Sequence, residues 1–246
     1  MSSRFPATRW SAILAARSKD PAERERAIGM LLEAYWKPVY KYIRVRWSRP
    51  AEDAKDLTQE FFAELLERDL LSRYDPGKSR LRTYLRLCVD SSVSNSDKAA
   101  RRLKRGGGAI FVTLDFDAAD DELSHTALDP ERLASPESLE SFFEKEWTRS
   151  LFGSAVEDLR RECGERAKTA HFRLFEQYDL EDSPGPRPTY EDLAKQHGIA
   201  STDVTNYLSW ARREFRRIVL ERLRDLCGSE EEFRREARDL FGWRPQ

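Results

Sequence analysis

Short polar and basic side chains succeed one another between Ser201 and Arg217, in an order that suits contact with nucleic acid. The polar ones, which can hydrogen-bond to base edges, are Ser201, Thr202, Asp203, Thr205, Asn206 and Ser209. The basic ones, which can reach phosphates, are Arg212, Arg213, Arg216 and Arg217. The same residues would also suit an ordinary helical hairpin with a solvated basic face. The elements that hold them decide between these two interpretations.

The flanking sequence predicts two short helices joined by a tight turn. Thr189 suits the N-cap of the first helix, and Gly198 suits the turn because glycine tolerates a left-handed backbone. Apolar residues at i, i+4 and i+7 of the second helix are Val204, Leu208 and Ala211. This spacing is typical of a helix-turn-helix, in which the first helix braces a second one that enters the major groove. We therefore predict DNA binding by residues 189–226.

A second informative segment, AEDAKDLTQEFFAELL, is acidic on one side and apolar on the other. Its polar side consists of Glu52, Asp53, Asp56, Gln59, Glu60 and Glu64. An acidic helix repels DNA, so this side either faces water or docks on a basic protein partner. Asp53 and Asp56, at i and i+3, could also bind a metal ion in an enzyme such as a nuclease. No converging His or third carboxylate cluster supports that alternative.

The next helical segment is strongly basic. Lys78–Arg105 holds nine Lys and Arg against two Asp and Glu, a balance of +7, whereas Asp115–Glu146 has a balance of −9. The net charge of −1 hides this segregation. Because Tyr84 and the polar stretch Ser91–Asp97 lie among the basic residues, the helix suits single-stranded bases, which are stacked and read on their edges.

Helical periodicity predicts an all-α chain of two small helical domains joined by a long acidic linker. The first domain spans residues 8–105, with a junction or kink at Pro38. Residues 106–135 start with three glycines and lack a helical period, so we expect a flexible linker that could shield the DNA-binding faces. The second domain spans residues 136–246 and ends in a helical tail that we expect to pack on that domain.

Several classes of protein are excluded. The three cysteines are far apart, no CxxC pair exists and the three histidines are scattered, so we predict no zinc site, disulfide or cofactor. No run of about 18 apolar residues is present, and the N-terminus lacks the apolar core of a signal peptide. The sequence therefore predicts a cytoplasmic protein.

The order of these parts resembles bacterial sigma factors of the two-domain, extracytoplasmic-function type. DAKDLTQEFFAELL is similar to that family's acidic docking motif, and STDVTNYLSWARREFRR is similar to its promoter-reading helix. TRWSAIL and KRGGG resemble a subgroup that has a long acidic linker. The resemblance covers about Thr8 to Gly242. It implies a subunit with no catalytic site that binds core RNA polymerase and directs it to promoters.

The resemblance also implies three sets of contact residues. Docking on the β′ clamp helices falls on Asp53, Asp56, Gln59, Glu60 and Phe61. The residues assigned to melting and reading of the non-template strand of the minus-ten element are Arg82, Tyr84, Arg86, Ser91, Asn95, Lys98 and Arg101. Reading of the minus-35 element, next to the β flap, falls on Ser201, Thr202, Thr205, Asn206, Arg212, Arg213 and Arg216.

The chain departs from the family pattern in its basic helix. The family often has Phe and Trp where Leu81 and Tyr84 stand, and Asp90 is an acid within the segment that would read the strand. A helix-turn-helix regulator that acts without polymerase stays the alternative, and it would not need the acidic docking motif. The sequence leaves open the promoter and any control by an anti-sigma factor, a kinase or another regulator.

Overall fold

The computed structural model describes residues 12–16, 18, 20–100, 114–125, 135–181 and 187–242. Over these ranges the chain is helical and has no strand, which confirms the all-α prediction. The chain divides into two compact units. One comprises Met1–Ser150 with Leu223–Gln246, and the other comprises Leu151–Arg222, so the boundaries of the units along the sequence differ from the predicted domain boundaries. No helix in the described ranges is both long and apolar enough to cross a membrane.

The first unit is built around one long helix. α1 (Ala12–Ala15) precedes α2 (Pro21–Arg46), which begins at an N-cap where the Asp20 carboxylate accepts the Ala22 N–H. A capping carboxylate and a proline in the first turn both favour helix initiation. α2 continues through Pro38, so no helix boundary lies there. Burial of Pro38 among core residues offsets the one backbone hydrogen bond that proline cannot make.

Two further helices of the first unit carry the acidic and the basic segments. α3 (Ala51–Glu67) is followed by a 3₁₀ turn (Leu70–Arg73) and by α4 (Leu81–Ala100). α3 ends at Glu67, two residues before Asp69, which takes a left-handed backbone with φ of 47° that a helix cannot continue through. The buried stripe of α4, at successive i, i+4 positions, consists of Leu81, Leu85, Val89 and Val93.

The predicted linker contains a helix, so its prediction as helix-free was wrong in this part. α5 (Phe116–Ser124) is capped by Asp115 and buries Phe116, Ala119 and Leu123. Phe116 makes edge contacts with Trp36 at 5.3 Å and with Tyr40 at 5.1 Å between ring centroids. Three buried apolar residues among four acids give too weak a periodic signal to reveal so short a helix. The rest of the linker lies outside the described residues.

The C-terminal tail packs on the first unit and not, as predicted, on the second domain. α6 (Pro136–Glu165) begins in this unit, where Phe143 contacts Tyr42 at 5.4 Å. α10 (Glu230–Phe241) also belongs to it and buries Phe233. The α10 carboxylates pair with the basic start of α4, a contact between residues about 150 positions apart that helical periodicity cannot predict.

The second unit consists of the later part of α6, α7 (Thr169–Phe175) with a π-helical turn (Glu176–Leu180), α8 (Tyr190–His197) and most of α9 (Ser201–Asp225). Its core is aromatic. Phe215 of α9 contacts Phe175 at 5.4 Å and Phe152 at 5.8 Å. These contacts place α9 against α6 and α7.

Candidate nucleic-acid and protein interfaces

The turn between α8 and α9 has the geometry that the sequence predicts. Thr189 and Asp192 form a reciprocal capping box, with the Thr189 hydroxyl accepting the Asp192 N–H at 3.2 Å and Asp192 accepting the Thr189 N–H at 3.0 Å. Hydrogen bonds from Thr189 lower the pKa of the Asp192 carboxyl below its usual value. Gly198 ends α8 with φ of 64°, where its N–H reaches the Ala194 carbonyl. A side chain at this position would strain the turn.

The apolar stripe of α9 is completely buried, so the polar residues on the other side of the helix face solvent. Val204, Leu208 and Ala211 are each 0% exposed. All seven residues assigned to the minus-35 element lie on the exposed surface, namely Ser201, Thr202, Thr205, Asn206, Arg212, Arg213 and Arg216. Side chains of this length on the first turns of a helix can hydrogen-bond to base edges in a major groove. The structure therefore brings this predicted set together.

One arginine of this set is already held by a carboxylate. Asp179 accepts two hydrogen bonds from Arg212, at 2.8 and 2.9 Å, and one from Arg187 at 3.0 Å. The Arg187 guanidinium lies 4.0 Å from the centre of the Tyr178 ring. The hydrogen bonds to Asp179 raise the pKa of Arg212 well above its ordinary value, so this side chain is a fixed cation. Arg213 is more exposed, at 69%, and is better placed to move towards a phosphate.

Aromatic contacts brace α9 from the side of α7. His171 stacks on Tyr207 at 3.9 Å and meets Trp210 edge-on at 5.1 Å. Lys168 lies 4.6 Å from the Trp210 ring. Burial lowers the pKa of His171, and the charge of Lys168 adds to that shift, so the imidazole is neutral near pH 7. The side of α9 that carries Tyr207 and Trp210 thus packs against His171 and Lys168.

Residues assigned to the minus-ten strand fall into two groups. Ser91 and Asn95 are exposed on α4, and Leu87 stands one turn before them with 52% of its surface exposed. Tyr84, in contrast, is half-buried, donates its hydroxyl proton to the Leu70 carbonyl at 2.6 Å and packs at a tilt against a neighbouring tyrosine. Its assignment to the minus-ten strand stays a prediction. The Lys98 side chain and Arg101 lie outside the described residues.

The arginines of α4 are engaged by carboxylates in this conformation. Arg82 is 6% exposed, pairs with Glu236 and Glu144, and lies 4.7 Å from the Trp147 ring. Arg86 pairs with Asp90 and Glu140, each at 3.4 Å. Every one of these acids except Asp90 comes from another helix.

Asp90, the unexpected acid of the basic helix, has a structural role. It accepts a hydrogen bond from the Tyr42 hydroxyl at 3.0 Å and lies 3.5 Å from Arg46. Burial is the largest cause that raises the pKa of Tyr42 to about 12, and the neighbouring Asp90 carboxylate adds to it, so the phenol keeps its proton. Asp90 therefore faces α2 and does not face a strand bound on the Ser91 side.

The acidic side of α3 is exposed except at Glu64, which pairs with Arg68 and is 23% exposed. Glu52, Asp53, Asp56, Gln59 and Glu60 all face solvent. Within the described part of the chain, Asp53 and Asp56 make no ion pair, and no group of three or more His, Cys, Asp and Glu could hold a metal. Phe61 is 0% exposed and contacts Phe62 at 5.1 Å, so it is a core residue and does not belong to the docking surface.

Two features of α4 escaped the sequence prediction. Leu87 falls outside the apolar stripe of α4, and that offset is the signal by which its exposure could have been found. The acids that cover the α4 arginines come from α6 and α10, and no local pattern reveals such pairing. No protein-family model matches the chain, and comparisons with curated proteins and with solved structures also give no match.

Proposed function

We propose that the chain is a sigma factor of the two-domain type, which docks on bacterial core RNA polymerase and directs it to promoters. The observation that carries the proposal is the α8–α9 unit. Its turn is fixed by the capping box and by Gly198, and its polar face from Ser201 to Ser209 is held outward by a fully buried stripe. That arrangement suits a helix that reads duplex DNA in the major groove.

The exposed acids of α3 support the polymerase-bound form of this proposal over a polymerase-independent regulator. A regulator needs no acidic surface, whereas a docking helix needs carboxylates that are not already neutralised. Asp53 and Asp56 meet that condition among the described residues. Such carboxylates would meet basic side chains on the clamp helices and would set the orientation of docking.

The minus-ten function is assigned to the exposed side of α4. Ser91 and Asn95 carry donors and acceptors for base edges, and Leu87 offers an apolar surface for an unstacked base. α4 belongs to one compact unit, and the α8–α9 turn belongs to the other. We propose that these two parts act as separate DNA-reading domains on either side of the acidic 106–135 segment, and that the protein works in the cytoplasm.

In vitro transcription from a library of random promoter sequences tests the proposal. Core polymerase supplemented with the chain should start transcripts downstream of two shared elements at a fixed spacing. Asn206→Ala should alter the upstream element only, because that residue lies on α9, and Asn95→Ala should alter the downstream element only. Glu165→Gln, an exposed change at the end of α6, serves as the control and should alter neither.

Two results would refute the proposal. If transcript start sites were as randomly placed as those of core polymerase alone, the chain would not act as a sigma factor. If the Asn206→Ala variant selected the same upstream element as the unmodified chain, α9 would not be the helix that reads this element.

A further inference from the structure

Five carboxylates from two other helices lie against the basic side of α4. We call this group the acidic cover, and its members are Glu140 and Glu144 of α6 and Glu232, Glu236 and Asp239 of α10. All of them belong to the same compact unit as α4. The cover therefore occupies Arg80, Arg82 and Arg86, three of the cations by which this segment would hold a nucleic-acid backbone.

Arg80, the residue before α4, and the two arginines in the first half of α4 each have a partner in the cover. Arg80 lies 3.6 Å from Glu236 and also pairs with Asp239. Arg82 pairs with Glu236 and lies 3.2 Å from Glu144. Arg86 lies 3.4 Å from Glu140. Carboxylates and phosphates bind the guanidinium fork in the same way, so one class of anion excludes the other.

The centre of the cover is buried. Glu236 is 3% exposed and Glu232 is 1% exposed. Glu232 accepts the N–H of Leu81 at 2.7 Å and the N–H of Gly228 at 2.7 Å, which ties the start of α10 to the start of α4. A strand in solution cannot reach Arg82 while these contacts stand.

The rim of the cover is open to water. Glu140, Glu144 and Asp239 are 42%, 41% and 47% exposed. Exposed pairs contribute little to stability, and a buried pair carries a desolvation cost that its attraction repays only in part. Burial in fact raises the pKa of the Glu236 carboxyl in spite of the nearby Arg82. Another polyanion can therefore compete for these arginines.

We propose that the acidic cover is a competitor in cis that keeps the α4 arginines from single-stranded DNA until polymerase and promoter displace it. This inference rests on the proposed function, because it takes α4 as the strand-reading helix. It differs from shielding by the acidic linker, since Asp120 and Glu122 of α5 pair with lysines and an arginine of α2.

Removal of rim charges tests the cover. Deletion of α10 would remove the buried Phe233 and Ala237 and could unfold the unit, so the test uses exposed residues. The variant carries Glu140→Gln, Glu144→Gln and Asp239→Asn. The control carries Glu25→Gln, Glu137→Gln and Glu231→Gln, which makes the same change in net charge at exposed sites outside the cover.

The readout is fluorescence anisotropy of a labelled single-stranded oligonucleotide of about 15 nucleotides, titrated with the free chain at several salt concentrations. The rim variant should bind roughly three- to tenfold tighter than the control, because three weak pairs no longer compete. Its log affinity should fall with log salt more steeply, by up to about 2 units of slope. Adding Arg80→Ala and Arg86→Ala to the rim variant should remove the gain.

Equal binding by the rim variant and the control would overturn the cover, and so would a gain that survives loss of the two arginines. Co-elution of each variant with core polymerase separates this result from the proposed function. Co-elution without any gain in strand binding would refute the cover alone, whereas a gain in strand binding without co-elution would support the cover and refute the polymerase partnership.

Discussion

At the residue scale, the charged side chains of the candidate interfaces differ in whether they already form an ion pair within the protein. Asp53 and Asp56 make no ion pair within the described residues, whereas Arg82, Arg86 and Arg212 all pair with carboxylates. A sequence shows the charges but not these pairs. The types of the site residues were therefore predictable, and their availability was not.

Replacement of Arg212 by Ala should weaken binding to duplex promoter DNA. Loss of one phosphate contact lowers the slope of log affinity against log salt by about 0.9. Arg187→Ala is the matched control, since Arg187 shares the Asp179 carboxylate and the Tyr178 ring but lies before α8. A salt titration of DNA binding measures both slopes. If Arg212→Ala left the slope at its original value, Arg212 would lie away from the DNA.

Gly198→Ala should destabilise the second unit, because Gly198 has φ of 64° and a side chain disfavours that conformation. We expect a loss of about 1 kcal/mol in the free energy of unfolding. Gly153→Ala is the control, since Gly153 lies within α6, where an added Cβ meets open space. That change should stabilise the helix by about 0.5–1 kcal/mol. Thermal unfolding that ranks the two variants in the opposite order would contradict the assigned turn.

At the element scale, long periodic helices were predictable and the contacts between distant helices were not. α3, α4, α8 and α9 follow from their apolar stripes and caps. α5 was missed because it has only nine residues, four of them acidic. The packing of α10 was missed because its partners lie about 150 residues earlier in the chain. Sequence periodicity specifies which face of a helix is buried, but it does not specify the helix that buries it.

Lys41 joins three helices of the first unit and should contribute strongly to its stability. It is 1% exposed, and its ammonium lies 2.8 Å from Glu146 of α6 and 2.7 Å from Glu122 of α5. Lys41→Ala would remove the buried cation of Glu146 and leave the half-exposed Arg149 as its partner, which costs about 2 kcal/mol in the free energy of unfolding.

Lys37→Ala is the matched control for this prediction. Lys37 lies one turn earlier on α2 and also pairs with Glu122, but both side chains are partly exposed. Its removal should cost less than about 1 kcal/mol. Chemical denaturation measures both variants. Similar losses for the two lysines would show that Lys41 does not hold α5 and α6 on α2.

At the scale of the whole molecule, the proposal assigns two weak DNA contacts to one chain. Polymerase would hold both contacts at a fixed span, so the second would become effectively intramolecular and its strength would add to the first. The acidic cover fits this scheme. While the cover pairs with the arginines, a chain that is not bound to polymerase would not bind single-stranded DNA outside a promoter. The docking side of α3 is the element on which this whole scheme depends.

Size-exclusion co-elution of the purified chain with bacterial core RNA polymerase tests that dependence most directly. The account predicts stoichiometric co-elution that is lost when Asp56→Ala and Gln59→Ala are combined, because both side chains lie on the exposed acidic side of α3. Glu25→Ala, which removes the same charge from α2, should co-elute like the unmodified chain. Absence of co-elution at low salt, or full co-elution of the double variant, would contradict the account.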